Sequence, residues 1–173
     1  RSHGVTKIKE MMSPHSEGDW FYQQIGLGFN YRMTEIQAAL GCSQIKRLDS
    51  IVEKRHELKE RYDRLLGDLP VTLPRQADEC YSSLHLYPIQ LKLELLSKTR
   101  KQIFSTLREQ NIGVNVHYIP IHTQPFYQKK GFEVGDFPKS ENYYEKAISL
   151  PLFPTMHLSE QDQVVEALQR SLE

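Results

Sequence analysis

The stretch Gly26-Leu27-Gly28-Phe29-Asn30-Tyr31-Arg32-Met33 sets an Asn amide, an Arg guanidinium and two glycines just ahead of a helix-start signal. That set suits an anion. The guanidinium offers a fork of donors, the amide adds one or two more, and the N-terminal end of a helix carries partial positive charge. The glycines let another backbone come close. The same residues also suit a helix-entry turn whose Arg pairs with a surface carboxylate, and residue chemistry alone leaves the two readings level. A second group is His117 and His122, which flank Tyr118-Ile119-Pro120, with His85 on an earlier segment. Metal pairs on one element usually sit at i,i+2 or i,i+4, and no carboxylate or Cys lies in this stretch, so a metal is disfavoured. Histidines satisfied by backbone hydrogen bonds, or the polar wall of a ligand pocket, are the readings left. There is no Gly-x-x-x-x-Gly-Lys-Ser/Thr loop, no Gly-x-Gly-x-x-Gly and no Gly-x-Ser-x-Gly.

The elements that must position these residues follow from capping and periodicity. Residues 7–30 hold Ser13-Pro14, Gly18, Gly26 and Gly28 together with Trp20, Phe21, Tyr22 and Phe29. That reads as an aromatic loop packed against something. Thr34-Glu35-Ile36-Gln37 fits a capping box, and no proline follows until Pro70, so a long helical region is expected, bending near Leu48-Asp49. Ile51, Leu58, Tyr62, Leu65 and Leu69 form its apolar face, with Glu57–Arg61 and Glu60–Arg64 as i,i+4 pairs. Ala38, Ala39, Gly41, Cys42 and Ser43 predict close packing of its first half. Residues 84–93 read as a strand, with His85 and Tyr87 sharing the parity of Ile89 and Leu91, and Pro88 at an edge, bulge or strand start. A helix over 97–110, a strand over 114–118, a loop over 124–137, a helix over 138–147 opened near Asp136, and a strand over 148–153 follow. The last helix is capped by Ser159-Glu160-Gln161-Asp162. This order predicts an α/β (α+β) domain with a sheet of about three strands covered by helices.

Composition narrows the function classes. The 173 residues carry 22 Lys+Arg and 22 Asp+Glu, so no basic surplus is available for nucleic acid. No apolar run could span a bilayer. Cys42 and Cys80 make neither a disulfide framework nor a zinc site. The expectation is a cytoplasmic, soluble, metal-free protein without nucleic-acid or membrane partners. The opening Arg1-Ser2-His3-Gly4 has no initiator Met, which suggests an excised portion of a longer polypeptide.

Five separated blocks make the chain resemble the DegT/DnrJ/EryC1/StrS family of sugar aminotransferases. They are Arg1-Ser2-His3-Gly4, Gly28 to Gly41, Ser82 to Ile89, Ile112 to Pro120, and Leu150-Pro151-Leu152-Phe153-Pro154. The Ser-Ser-x-His-Leu-Tyr-Pro-Ile and Ile-Gly-Val-x-Val-His-Tyr blocks bring it nearest to members of the pseudaminic acid pathway.

The resemblance implies a fold type I aminotransferase that binds pyridoxal 5'-phosphate. This chain would be its C-terminal portion. Residues 1–33 would end the large cofactor domain and form an inter-subunit loop, 34–69 would be a long linking helix, and 70–173 the small domain. The family's cofactor-bearing lysine would lie upstream of Arg1, so no catalytic residue falls in this chain and the chain alone would be inactive. The parent would be a homodimer moving an amino group, from glutamate, to a 4-keto-6-deoxy sugar nucleotide. Asn30 corresponds to the Asn that reaches the phosphate of the neighbouring subunit's cofactor, with Arg32 as its companion for that phosphate or an incoming carboxylate. The loop around His15 and Trp20 resembles the segment that approaches the partner's site. His117 and Tyr118 would lie near the sugar nucleotide, with His122 and His85 as further substrate contacts. Members with histidine in place of the lysine run a dehydration, so a same-fold dehydratase stays open. So does a non-enzymatic interaction module built on the charged helix 51–69.

Overall fold

The computed structural model describes residues 2–13, 18 and 20–173. His15 lies outside the described residues. The chain divides into two compact units, Arg1–Leu48 and Asp49–Glu173.

In the first unit, β1 (Val5–Thr6) runs antiparallel to β2 (Gln23–Gln24). An isolated bridge joins Ser2 to Asn30, and the His3 N–H donates to the Phe29 carbonyl at 3.0 Å. Two glycines make this crossing sterically feasible. A Cβ on Gly4, whose φ is +74°, would sit 1.9 Å from the Gly26 carbonyl oxygen, and one on Gly28 would sit 2.4 Å from the Gly4 nitrogen. The expected close approach of backbones is therefore made within the unit. Helix α1 (Glu35–Ile45) opens on the expected capping box. Thr34 Oγ1 accepts from the Gln37 N–H at 3.3 Å, and Gln37 Oε1 accepts from the Thr34 N–H at 2.9 Å. No residue of α1 is buried, so the close packing that its small residues suggest is not made by the described residues.

The long helical region is interrupted by a turn at Lys46-Arg47, and α2 (Leu48–Leu66) follows. Its buried stripe is Leu58, Tyr62 and Leu66, four residues apart, so Leu66 takes the place expected for Leu65. The expected pairs on this helix are also replaced. Lys59 bonds Asp63 at 2.5 Å, and Arg61 crosses to Asp162 at 2.6 Å.

The sheet of the second unit is antiparallel with order β3 (Val71–Thr72), β4 (Tyr87–Leu91), β5 (Ala147–Leu150). Tyr87, Ile89 and Leu91 are buried, as the alternation predicts. His85 precedes the strand and is exposed, so its shared parity does not place it in the core. Pro88 sits near the strand start, where β5 alone pairs with β4. The third strand is Val71–Thr72, not 114–118. Only Asn115 of that segment joins the sheet, through a bridge to Ser149. Helix α3 (Arg100–Glu109) is capped by Thr99 and buries Ile103 and Leu107, and Asn111 ends the turn at a φ of +61°. The expected loop after it carries the one-turn helix α4 (Pro125–Gln128). Helix α5 (Pro138–Lys146) starts at Pro138 as expected. Helix α6 (Leu158–Leu172) starts at His157, whose N–H donates to the Glu160 carboxylate at 2.7 Å, rather than at Ser159. Inside, Gln161 is fully buried and donates to the Leu58 carbonyl at 2.7 Å while accepting from Arg61. This satisfies the side chain that α6 places among Val164, Val165 and Leu168.

Candidate functional site

Two groupings carry the residues that the sequence singled out, one in each unit. In the first, Arg32 lines a cavity of about 660 Å³ with His3, Val5, Lys7, Tyr22 and Gln24. Among the described residues the lining holds two permanent cations and no carboxylate. Among the described residues neither Arg32 nor Lys7 has a hydrogen-bond or ion-pair partner, so the reading of Arg32 as half of a surface ion pair finds no partner there. Asn30 is exposed two residues away, its backbone held by the bridge to Ser2, and it does not line the cavity. The helix end is less available than its sequence suggested, because the Thr34 and Gln37 N–H groups are taken by the capping box. The anion chemistry of this unit rests on side chains. A guanidinium and an ammonium that have no partner among the described residues, over a lining whose described residues hold no carboxylate, fit a phosphate or carboxylate group.

In the second unit, β5 and the segment bridged to it hold His117. Its Nδ1 lies 2.9 Å from Ser149 Oγ, and its ring meets the Tyr118 ring edge-on at 4.7 Å across a cis peptide. Tyr118 is 68% exposed, which leaves its phenol open to a ligand. His122 behaves differently. It is 6% exposed, its Nε2 lies 2.7 Å from Glu141 Oε1 on α5, and its ring contacts Phe137 at 4.8 Å. Glu141 Oε1 also accepts from the Gly135 N–H at 2.8 Å. That bond, then the one to His122, holds the Glu141 carboxyl below the usual carboxylate range. Beside His122 is a cavity of about 330 Å³ lined by Ile121, Tyr127, Phe132, Phe137 and Ser140. His85 stands apart from both groups, exposed ahead of β4. The structure thus pairs His117 with Tyr118, gives His122 a separate pocket, and gathers His85 with neither.

Ser149 and Glu141 are the partners that sequence reasoning missed. They lie 32 and 19 residues from the histidines they bond, and no local spacing rule spans such distances. Among the described residues no cluster of His, Cys, Asp and Glu could hold a metal, and no helix is long and apolar enough to cross a membrane.

Comparison with known proteins supplies the context. The family of DegT/DnrJ/EryC1/StrS aminotransferases matches over residues 1–169. The chain is 38% identical over 169 residues to the spore coat polysaccharide biosynthesis protein SpsC of Bacillus subtilis, covering 96% of this chain and 43% of that protein. It is 34% identical over 174 residues to the UDP-4-amino-4,6-dideoxy-N-acetyl-beta-L-altrosamine transaminase of Campylobacter jejuni, covering 100% of this chain and 43% of that protein. Among solved structures, Helicobacter pylori PseC, an aminotransferase involved in the biosynthesis of pseudoaminic acid, superposes with a TM-score of 0.84 at 29% identity. The match covers 99% of this chain and 44% of that one. The chain therefore spans about two-fifths of the length of these relatives. Its mixed α/β fold is the one found in that part of the sugar aminotransferases, and the chain belongs to the DegT/DnrJ/EryC1/StrS aminotransferase family.

Proposed function

We propose that this chain is the C-terminal part of a pyridoxal phosphate-dependent transaminase that moves an amino group from glutamate to a 4-keto-6-deoxy sugar on a nucleotide diphosphate. Residues 1–33 close the cofactor domain, 34–69 link the domains, and 70–173 form the small domain. The observation that carries the reading is the set of donors in the first unit that have no side-chain partner among the described residues: Asn30, and Arg32 with Lys7 on a lining whose described residues include no carboxylate. In a homodimer, the Asn30 amide donates to the phosphate of the neighbouring subunit's cofactor, while Arg32 supplies charge to that phosphate or to the glutamate carboxylate. Pyridoxal phosphate, when bound, supplies the electron sink that lets a C–H bond beside the transferred nitrogen ionise. His117 and the open phenol of Tyr118 orient the sugar nucleotide. His122, buried against Glu141, acts through the cavity it lines, and His85 is a peripheral contact. The cofactor-bearing lysine belongs to polypeptide ahead of the Arg-Ser-His-Gly block, so the 173-residue chain alone is inactive. The working protein is cytoplasmic.

The test uses the full-length protein with glutamate and a UDP-linked 4-keto-6-deoxy sugar, read by mass spectrometry. Gain of nitrogen by the sugar with formation of 2-oxoglutarate is the expected result. Loss of water without gain of nitrogen, the dehydratase outcome, overturns the proposal. Asn30→Ala should weaken cofactor retention by roughly 10- to 100-fold, the loss of one hydrogen bond to a charged group. Retention equal to wild type during dialysis would remove Asn30 from the phosphate site.

A further inference from the structure

We infer that Ser149 is a positioning residue for His117. Its hydroxyl donates to Nδ1, fixes the neutral ring as the Nε2–H tautomer, and so makes His117 a hydrogen-bond donor toward an oxygen of the sugar nucleotide. This rests on the reading of His117 as a substrate contact, but its core is a statement about the chain's own chemistry.

The geometry begins with the backbone. Asn115 and Ser149 exchange both of their main-chain hydrogen bonds, Ser149 N–H to Asn115 O at 2.8 Å and Asn115 N–H to Ser149 O at 3.3 Å. That double bond ties the segment carrying His117 to the outer edge of β5, the strand at the end of the sheet. Ser149 is only 4% exposed, and all four residues of β5 are buried. Its hydroxyl has one side-chain partner among the described residues, His117 Nδ1 at 2.9 Å.

A hydroxyl carries one hydrogen and two lone pairs, while a neutral imidazole carries a donor on one nitrogen and an acceptor on the other. If Nδ1 held the ring proton, it would donate to Ser149 Oγ, and the serine's own hydrogen would be left buried with no acceptor. If Ser149 donates to Nδ1, its hydrogen is satisfied and only lone-pair capacity goes unused. An unmade buried donor is the costlier defect, so the second arrangement wins. The ring proton then sits on Nε2. That atom has no partner among the described residues, on a side chain that is half-buried rather than closed off. A donor in this place selects acceptor oxygens, such as a sugar carbonyl, a ring substituent carbonyl or a diphosphate oxygen. The bonded serine also removes the ring-flip freedom that would blur this choice.

The experiment is long-range ¹H–¹⁵N spectroscopy of the imidazoles in the uniformly labelled full chain. It is run about two pH units above the ordinary histidine pKa of about 6.5, where the rings are neutral. His117→Gln assigns the signal by its disappearance. The expected wild-type pattern is a pyridine-type Nδ1 and a pyrrole-type Nε2. In Ser149→Ala the tautomer is no longer selected, so the Nδ1 resonance should leave the wild-type position and move toward the average of the pyridine-type and pyrrole-type values. In Ser149→Cys, whose thiol is a weak donor, it should fall between the two. A pyrrole-type Nδ1 in the wild type, or Nδ1 shifts that do not change across the three proteins, would overturn the inference. The amide spectrum shows whether each variant is folded, and the two substitutions do not share a failure. The tautomer can stand even if His117 proves irrelevant to substrate affinity, so failure of the functional reading is seen separately.

Discussion

The two units treat their apolar residues in opposite ways. In Asp49–Glu173 the periodic positions close on one another. Leu58, Tyr62 and Leu66 of α2, Ile89 and Leu91 of β4, Ile103 and Leu107 of α3, and Val164 and Leu168 of α6 are all buried in one cluster. In Arg1–Leu48 equally apolar side chains stay in the open. Ile36 is 83% exposed, and Leu27, Phe29, Tyr31 and Met33 are exposed as well. The first unit also carries Arg32 and Lys7, which have no side-chain partner among the described residues. The lesson is that patterning reports burial only where the partner surface belongs to the same compact unit. So many exposed apolar side chains in one unit fit a surface built for contact rather than for self-closure.

The sharpest way to break this contrast is to truncate one residue on each side of it. Leu58→Ala removes a fully buried side chain from the cluster and should cost about 2–5 kcal/mol, transfer and cavity contributions together. Ile36→Ala, at an exposed position on α1, should stay within about 0.5 kcal/mol. Urea unfolding followed by circular dichroism measures both. If Ile36→Ala shifts the midpoint as far as Leu58→Ala does, the first unit has a closed core of its own and the contrast fails.

What could be read ahead of the structure follows the same division between local and distant. The capping box at Thr34–Gln37 spans three residues, so it is visible in the sequence and present in the fold, while the equally local box at Thr99–Gln102 went unread because the helix was expected to begin at Ser97. Strand β4 was legible because Ile89, Leu91 and Leu93 alternate with Gln90 and Lys92, although the strand ends at Leu91 and Leu93 lies beyond it. Strand β3 was not, because two residues after Leu69-Pro70 give alternation nothing to act on. The segment 114–118 has the right alternation but no ladder. It lies against the far side of β5, where only Asn115 pairs. Leu66 displaced Leu65 because a continuous four-residue step from Leu58 keeps the stripe on the sheet side. At the candidate sites the residue types were legible and their partners were not. Ser149, Glu141 and the Asp162 that binds Arg61 come from elements 19 to 101 residues away.

Tyr87 tests the polar side of the well-packed unit. Its hydroxyl donates to Asp63 Oδ1 at 2.7 Å beneath the Tyr62 ring. Burial, and then the Asp63 carboxylate, push its ionisation well above the usual tyrosine range. A raised folded pKa means that the neutral form is favoured in the fold. The resulting stability is complete below the ordinary tyrosine value of about 10 and is lost as the pH rises beyond it. Tyr87→Phe keeps the ring and deletes the bond. It should cost about 1–3 kcal/mol at neutral pH, as for a hydrogen bond to a charged group, and should soften the alkaline limb of the stability curve. Unfolding midpoints measured from neutral pH to about pH 11 decide this. A variant with the wild-type midpoint throughout would show that the hydroxyl contributes nothing there.

The smallest expected effect sharpens the contrast from inside the second unit, at its most open corner. Glu141 gathers the Gly135 N–H and His122 Nε2 on one oxygen, pinning the segment of Phe126, Tyr127, Phe132 and Phe137 to α5. Those hydrogen bonds lower its carboxyl pKa, so the ionised form is favoured in the fold. The unfolded chain then takes up the proton first as the solution is acidified. The contribution is present above the ordinary glutamate value of about 4.3 and disappears as the pH falls through the lower folded value. Glu141→Gln keeps an oxygen to accept from Gly135 but cannot ionise. Its stability should therefore change less than wild type between about pH 5 and 3, with the difference confined to that window. Parallel acid-limb slopes for the two proteins would mean that the corner is held by its aromatic contacts alone. Glu141 would then belong with the exposed side chains of the first unit in contributing nothing to closure.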